Sequence, residues 1–262
     1  MNNPLSHNLI AKTIRACARK VSVALDEFPA LHGFLKTAFL SLPPFIRGKQ
    51  MIWDALSALA QRKGAEVFVL QVGANDGVHD DPVSHFIRKW RWKALLVEPV
   101  PRIFEALKSN YAGVSGVQFA NVAISDRDET RPFYFIDDPQ RELPAWAGEV
   151  GSFIHELVTT EISGRDVRSY IREIEVPCLT PRTLLAQHAV ERVDLVVIDA
   201  QGYDDRILLQ LPLGEISPAM IIFEHCLLSA EQRSACEKFL KLHGYVIEAD
   251  RWDILAQLSP QP

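Results

Sequence analysis

Past residue 64 the chain alternates between two hydrophobic rhythms. Short runs in which nearly every position is apolar, "VFVLQV", "KALLVEP", "VQFANVAIS", "VDLVVIDA" and "PAMIIFEH", are separated by stretches such as "PVSHFIRKW", "PRIFEALKSNY" and "DDRILLQL". In the latter, apolar residues return every three or four positions, as Ile103, Phe104 and Leu107 do. The first rhythm predicts strands buried on both faces, the second amphipathic helices between them. Two further helices carry their own start signals. Thr180 followed by Pro181 opens "LTPRTLLAQHA", and the Ser-x-x-Gln of "SAEQRSACEKFLKLHG" is a capping box closed by Gly244. "RPFYFID" reads as an extra strand at an edge, and "YVIEAD" with "WDILAQL" as a closing pair that adds an antiparallel strand. Apolar strands alternating with helices predict an α/β fold, a doubly wound and mostly parallel sheet covered on both faces.

Before residue 64 the pattern is helical only. Ile10, Ile14, Ala18 and Val21 form one stripe, and Leu31, Phe34, Leu35, Ala38 and Phe39 another, with breaks at Pro29 and Pro43-Pro44. The expected organisation is therefore an N-terminal helical extension, 1–63, and a catalytic-type α/β domain, 64–262. Charge sharpens the division. The extension carries nine Lys/Arg against three Asp/Glu, in a chain whose net charge is −5. A basic helical layer packed on its neighbours is the plain reading; peripheral contact with a membrane or a partner protein is the sharper one. The acidic body gives no footprint for nucleic acid. Cys17, Cys178, Cys226 and Cys236 have no metal-ligand or redox spacing, so a reducing, cytoplasmic setting and no metal are expected. No apolar run reaches the ~18 residues of a membrane span, and the start lacks the layout of a secretory signal.

In an open parallel sheet a ligand sits beyond the carboxyl ends of the strands, where the strand order reverses. The residues that follow each strand are therefore the ones to read. The first strand ends in Gly73, Ala74, Asn75, Asp76 and Gly77, a bend that lets backbone approach a ligand, with a helix N-terminus expected beyond it. The second ends in Glu98, placed to accept both hydroxyls of a ribose. Asn121 and Val122 follow the third, where an adenine edge would lie. Asp199 ends a wholly apolar run and has no core reason to be there. Glu224 and His225 end the next. Together these fit an adenosine-containing cofactor. A dinucleotide asks for Gly-x-Gly-x-x-Gly and amides for a pyrophosphate; the different spacing here favours S-adenosylmethionine.

The segments "VGANDG", "LLVEPVPRIFEAL", "NVAISD" and "VDLVVIDAQGYDDRILLQL" resemble the FkbM-type methyltransferases in sequence and order, over about residues 65–257. The resemblance implies a Rossmann-like, seven-stranded sheet with one reversed strand. It implies S-adenosylmethionine as donor and O-methylation of a hydroxyl on a sugar, glycan or natural product. By match, Gly73, Asn75, Asp76 and Gly77 form the cofactor loop, Glu98 takes the ribose, Asn121 and Val122 border the adenine, and Asp199 closes the site near the methyl group. Gln201 and Gln71 depart from the pattern, each standing where an acidic residue is common.

Methyl transfer to an alcohol needs a base for the acceptor proton. His225 and Asp199 are the candidates, with His155 a rival. The long segment from Asp137 to Pro177 is where acceptor choice is expected. Trp146, Ser152 and His155 are its candidate acceptor contacts, with Phe153, Tyr170 and Arg141 beside them. Two other readings stand at this point: a nicotinamide-dependent dehydrogenase, and a cofactor-binding scaffold of a biosynthetic assembly.

Overall fold

The computed structural model describes residues 50–79, 81–138, 140, 142–144, 147–148, 150–158, 161–162 and 165–259. Trp146, Arg141 and the helices expected before residue 50 lie outside these. The chain divides into two units, residues 1–62 and 63–262. Helix α1 (Gln50–Lys63), all but Lys63 of which falls in the first unit, carries Ile52, Ala55, Leu56, Leu59 and Ala60 at helical spacing.

Among its described residues the second unit holds three sheets, of seven, four and two strands. Along the chain come β1 (Phe68–Val72), α2 (Ser84–Trp90), β2 (Lys93–Val97), α3 (Pro101–Asn110), β3 (Val117–Ala120), β4 (Ala123–Ile124) and β5 (Glu129–Ile136). Next are β6 (Gly151–Ser152), β7 (Glu161–Ile162), β8 (Arg165–Asp166), β9 (Ile171–Leu179) and α4 (Pro181–Gln187). The chain ends with β10 (Leu195–Ile198), α5 (Asp204–Leu208), α6 (Leu213–Ile216), β11 (Met220–Glu224), α7 (Ala230–Leu242), β12 (Tyr245–Ala249) and β13 (Asp253–Leu258). The main sheet has seven strands in the order β12-β13-β11-β10-β1-β2-β3. From β11 to β3 all neighbours are parallel, whereas β13 runs antiparallel to both β11 and β12. The strand order reverses at β1, with β2 and β3 on one side and β10 and β11 on the other. The apolar runs are as buried as their composition requires: Leu195, Val196, Val197 and Ile198 are all in the core. The capping signals also hold. Thr180 accepts from the Thr183 amide, and Ser229 and Gln232 cap each other's backbone at the start of α7.

The second sheet, β4-β9-β5-β6, departs from the expected layout. "VQFANVAIS" is not one strand. Its first part stays in the main sheet as β3, and after Asn121 and Val122 the chain steps across to pair β4 with β9. The step is held by Asn121, whose side-chain amide donates to the carbonyls of Glu98 and Pro99 at 2.8 and 3.0 Å. "RPFYFID" is not an edge strand either: β5 lies between β9 and β6. Strand β9 was hidden in the insertion. Its Val176 and Cys178 face Phe133, Phe135 and Val100 in a core of their own, with Ile174 at its border.

Candidate active site

Register decides which strand-end residues meet. Gln71 pairs with Leu96 and with Val197, and Val197 pairs with Ile222. Two residues further along each strand stand Gly73, Glu98, Asp199 and Glu224. Side chains alternate with a period of two, so these four positions belong to one face, just past the strand ends and astride the reversal of strand order. The ladder continues into them. The Asp199 amide donates to the Val72 carbonyl at 3.0 Å, the Glu98 amide to Ala120 at 3.1 Å, and the Gly73 amide to Val97 at 3.0 Å. Glycine at 73 is a steric requirement. Its φ is +76°, and a Cβ there would lie 1.8 Å from the Asp199 carbonyl oxygen.

Most amides of the turn that follows are already engaged within the chain. Ala74 donates to the Val97 carbonyl at 2.9 Å and Gly77 to Ala74 at 2.9 Å. Asn75, at φ 47°, donates to Glu98 Oε2 at 3.1 Å. Asp76 Oδ1 accepts from Val78 and His79, both at 2.9 Å, and its other oxygen meets His79 Nδ1 at 2.7 Å. Gly77 is needed for packing, since a Cβ at φ +68° would strike Tyr111 and Leu107 at 2.4 and 2.6 Å. The helix N-terminus expected beyond the bend as an anion site is also taken. Helix α2 begins only at Ser84, and Asp81 Oδ1 already accepts from the Val83 and Ser84 amides at 2.7 and 2.9 Å.

Glu98 is buried, with 6% of its surface exposed. Its two oxygens accept from Asn75 and, at 2.9 Å, from Val100. A carboxylate has about four acceptor positions, so both oxygens keep capacity for a ligand's hydroxyls. Burial pushes its pKa up to about 7, helped by the negative charge of Asp199 and Asp76 and opposed by the two amides. Across the crest, Gln201 bridges two acids. Its Nε2 donates to Asp199 Oδ1 at 2.7 Å and reaches Glu224 Oε2 at 3.5 Å. The turn carrying Gln201, itself at φ 48°, is pinned from below by buried Asp204, which accepts from the Ala200 and Gly202 amides at 3.1 Å each. Burial and the charges of Asp199 and Glu224 hold the Asp204 carboxyl well above its usual range. The field at this crest is strongly negative, which suits a cationic ligand centre.

The sequence placed a base at His225, and the structure corrects this. His225 is one residue past Glu224 and therefore on the opposite face from Asp199. It is buried, its Nε2 lies 3.0 Å from the Asp250 carbonyl oxygen, and Arg233 Nη1 lies 3.3 Å from its Nδ1. A carbonyl only accepts and a guanidinium only donates, so Nε2 carries the proton and Nδ1 is already accepting. The ring ties β11 to α7 and to the β12–β13 turn. Ser152 is corrected likewise. It is 1% exposed; its hydroxyl donates to the Gln201 carbonyl at 2.9 Å and accepts from Ile154 at 3.1 Å, so it positions the Gln201 turn. Asn121 holds the β3–β4 step described above, with half-buried Val122 beside it. His155 is exposed and edge-on to Tyr134, centroids 4.9 Å apart. Phe153 and Tyr203 pack edge-on at 4.9 Å, and the Tyr170 hydroxyl bonds Glu142, so both aromatics pin the insertion.

Two partners were missed from sequence. Glu224 was seen as polar, yet strand parity is what makes it, and not His225, the neighbour of Asp199. Arg131 comes from β5; it donates to Ser125 Oγ at 3.1 Å and Tyr203 Oη at 3.0 Å and lies 4.5 Å over the Phe153 ring. It joins the second sheet to the turn that bears Gln201, and nothing local in the sequence marks it. Among the described residues no trio of His, Cys, Asp or Glu is placed to hold a metal ion, and no helix is long and apolar enough to cross a membrane.

A seven-stranded sheet with its next-to-last strand reversed, and acids at the carboxyl ends on either side of the switch, define a Rossmann-like methyltransferase. The model of the methyltransferase FkbM domain matches residues 71–247, well over half of the chain. The protein belongs to the FkbM methyltransferase family, and S-adenosylmethionine is the cofactor that goes with it. No curated protein matches the chain. Solved structures similar to it include the methyltransferase FkbM of Methylobacillus flagellatus KT, 12% identical with a TM-score of 0.45, the match covering 73% of this chain and 43% of that one. The O-methyltransferase of Bacillus cereus in complex with SAH is 10% identical, TM-score 0.42, covering 92% and 97%. Aeropyrum pernix fibrillarin with natively bound S-adenosyl-L-methionine is 15% identical, TM-score 0.41, covering 78% and 76%.

Proposed function

We propose that this methyltransferase acts on oxygen, at a hydroxyl of a sugar, glycan or natural-product acceptor, with the cofactor's nucleoside lying across Glu98 and Gly73. The observation that carries the reading is the row of Glu98, Gly73, Asp199 and Glu224 on one face at the reversal of strand order. When bound, S-adenosylmethionine supplies a methyl group made electrophilic by the sulfonium. The chain's own residues orient and stabilise. Glu98, anchored by the Asn75 and Val100 amides, accepts from the ribose hydroxyls. The six amides of the 73–79 turn that donate within the chain favour this cofactor over a dinucleotide, whose pyrophosphate would compete for donors already in use. Asp199 and Glu224, held by the Gln201 amide, set a negative field that stabilises a nearby cation. Asp199 is exposed at the crest and takes the acceptor's proton as attack proceeds. His155, exposed on the segment that carries Ser152, is the candidate acceptor contact among the described residues. The helices before residue 64 are proposed to make peripheral membrane or partner-protein contacts.

The test is isothermal titration with S-adenosylhomocysteine, followed by methyl transfer from labelled S-adenosylmethionine to panels of glycans, phenols and amines. Label retained on hydroxyl oxygen supports the reading; label on nitrogen replaces it. Absence of S-adenosylhomocysteine binding overturns it in favour of a scaffold.

A further inference from the structure

Asp199 and Glu224 end two neighbouring parallel strands, the first exposed and the second half-buried. What lies between them is neutral. The Gln201 amide nitrogen is 2.7 Å from Asp199 Oδ1 and 3.5 Å from Glu224 Oε2. The Cys226 thiol also donates to Glu224. A hydrogen-bond donor favours the charged form of a carboxylate, and a neutral donor does so without cancelling the charge. A carboxylate at position 201 would instead crowd like charges within hydrogen-bond distance and force a proton onto the group. Gln201 therefore lets two negative charges stand side by side. Its place is fixed from the backbone, where its carbonyl accepts from Ser152 Oγ at 2.9 Å and the amides on either side of it donate to Asp204.

The charge is felt along the crest. Glu98, Asp204 and Cys226 all hold their protons more tightly than usual; burial comes first in each, and the negative charge of Asp199 adds to it. Glu98 and Asp199 follow the strands on either side of β1, so two strand spacings, about 10 Å, separate them. The sulfur of S-adenosylmethionine is one carbon from the ribose ring. A cofactor with its ribose on Glu98 thus keeps its positive centre at the crest, within that distance of Asp199. A unit charge at such a range from a carboxylate is favoured roughly three- to ten-fold even where water screens it. S-adenosylhomocysteine has the same nucleoside and the same tail and lacks only that charge.

We infer that Asp199 and Glu224, bridged by neutral Gln201, make the site select the charged methyl donor over its uncharged product, so that the loss of charge on transfer loosens the hold on S-adenosylhomocysteine and limits product inhibition. The inference rests on the proposed placement of the cofactor and goes beyond it, to how the site tells the donor from its spent form. Glu224 thereby becomes a specificity-determining residue for the cofactor.

The probes are S-adenosylmethionine, sinefungin, which carries an amine cation in place of the sulfonium, and S-adenosylhomocysteine, titrated calorimetrically into the whole protein with no acceptor present. The native protein is expected to bind both cations at least about five-fold more tightly than S-adenosylhomocysteine. Glu224→Gln keeps an oxygen for the Gln201 amide and the Cys226 thiol, and is expected to cut that preference by about three-fold while S-adenosylhomocysteine stays within about two-fold. Asp199→Asn likewise keeps an oxygen for Gln201 and should cut the preference at least as much. Glu248→Gln removes the same charge from an exposed position on edge strand β12 and should leave the preference as it is. Equal affinity of the native protein for cations and product overturns the inference, as does a parallel weakening of all three ligands in both crest variants. A fall in Glu248→Gln as large as in Glu224→Gln also overturns it and assigns the effect to net charge. Failure of the native protein to bind any of the three overturns the proposed cofactor placement itself, a result distinct from these.

Discussion

Glu98→Gln isolates what burial of the crest carboxylate does. Its pKa rises from 4.5 to about 7 because desolvation of the charge outweighs the two amides it accepts from. The folded protein therefore holds this proton more tightly than the unfolded chain. The contribution of Glu98 to stability is full below about pH 4.5, falls as the pH rises through about 7, and is constant above that. A tenfold difference in proton affinity between the two states is worth ~1.4 kcal/mol, so the fall amounts to about 3 kcal/mol. Glutamine does not titrate, so the variant lacks this slope. It also has one oxygen for the two amides of Asn75 and Val100, which costs about 1–3 kcal/mol at every pH. Glu98→Gln should thus be clearly less stable than the native protein at pH 5 and close to it, or more stable, at pH 8. The relative stability should change by about 2–3 kcal/mol between the two, in urea unfolding of both proteins. Parallel pH dependence in the two proteins would refute the burial argument. Cofactor binding runs the opposite way. If the ionised carboxylate accepts the ribose hydroxyls, native affinity for S-adenosylhomocysteine should be about ten-fold weaker at pH 6 than at pH 8, one pH unit below the folded pKa being about ten-fold in the ionised fraction. Equal affinities at the two pH values would remove Glu98 from the ribose.

Gly73→Ala forces a Cβ onto the Asp199 carbonyl at a left-handed φ, and a loss of at least ~3 kcal/mol in urea unfolding is expected, far more than a surface Gly→Ala change. His225→Ala should lower Tm by several degrees, since it removes two partly buried hydrogen bonds worth about 1–3 kcal/mol, yet leave S-adenosylhomocysteine affinity within two-fold in calorimetry; a ten-fold loss of affinity would return His225 to the site. Ser152→Ala loses the bond to the Gln201 carbonyl and should cost about 1 kcal/mol in the same unfolding assay. Arg131→Met should reduce stability by about 1–3 kcal/mol through its lost bonds to Ser125 and Tyr203, and an unchanged urea midpoint would show that Arg131 does not tie the second sheet to the turn that bears Gln201.

Much of the molecule is legible in the order of residues because its causes are local. Unbroken apolar runs must be buried on both faces, so β1, β2, β10 and β11 were readable as strands of a covered sheet. Thr180, Ser229 and Gly244 mark helix ends through backbone donors and acceptors a few residues away. A glycine bend followed by an acid at the next strand end located Glu98, and an acid closing an apolar strand located Asp199. What could not be read is what depends on register and on partners distant in the chain. Whether Glu224 or His225 faces Asp199 turns on a single residue of strand parity, and the ring of His225 is engaged by Asp250 and Arg233, which only folding brings to it. Six amides of the 73–79 turn donate to Val97, Ala74, Glu98 and Asp76, so a bend that looked open to an anion is largely engaged by the chain itself. The split of β3 from β4 and the pairing of β5 with β9 are decided by Asn121 and by a second core around Phe133 and Val176. Hydrophobic rhythm determines which segments are buried, because burial is a property of each residue's own surface; only the tertiary fold determines which polar groups meet at the crest, because that depends on every partner the chain brings there.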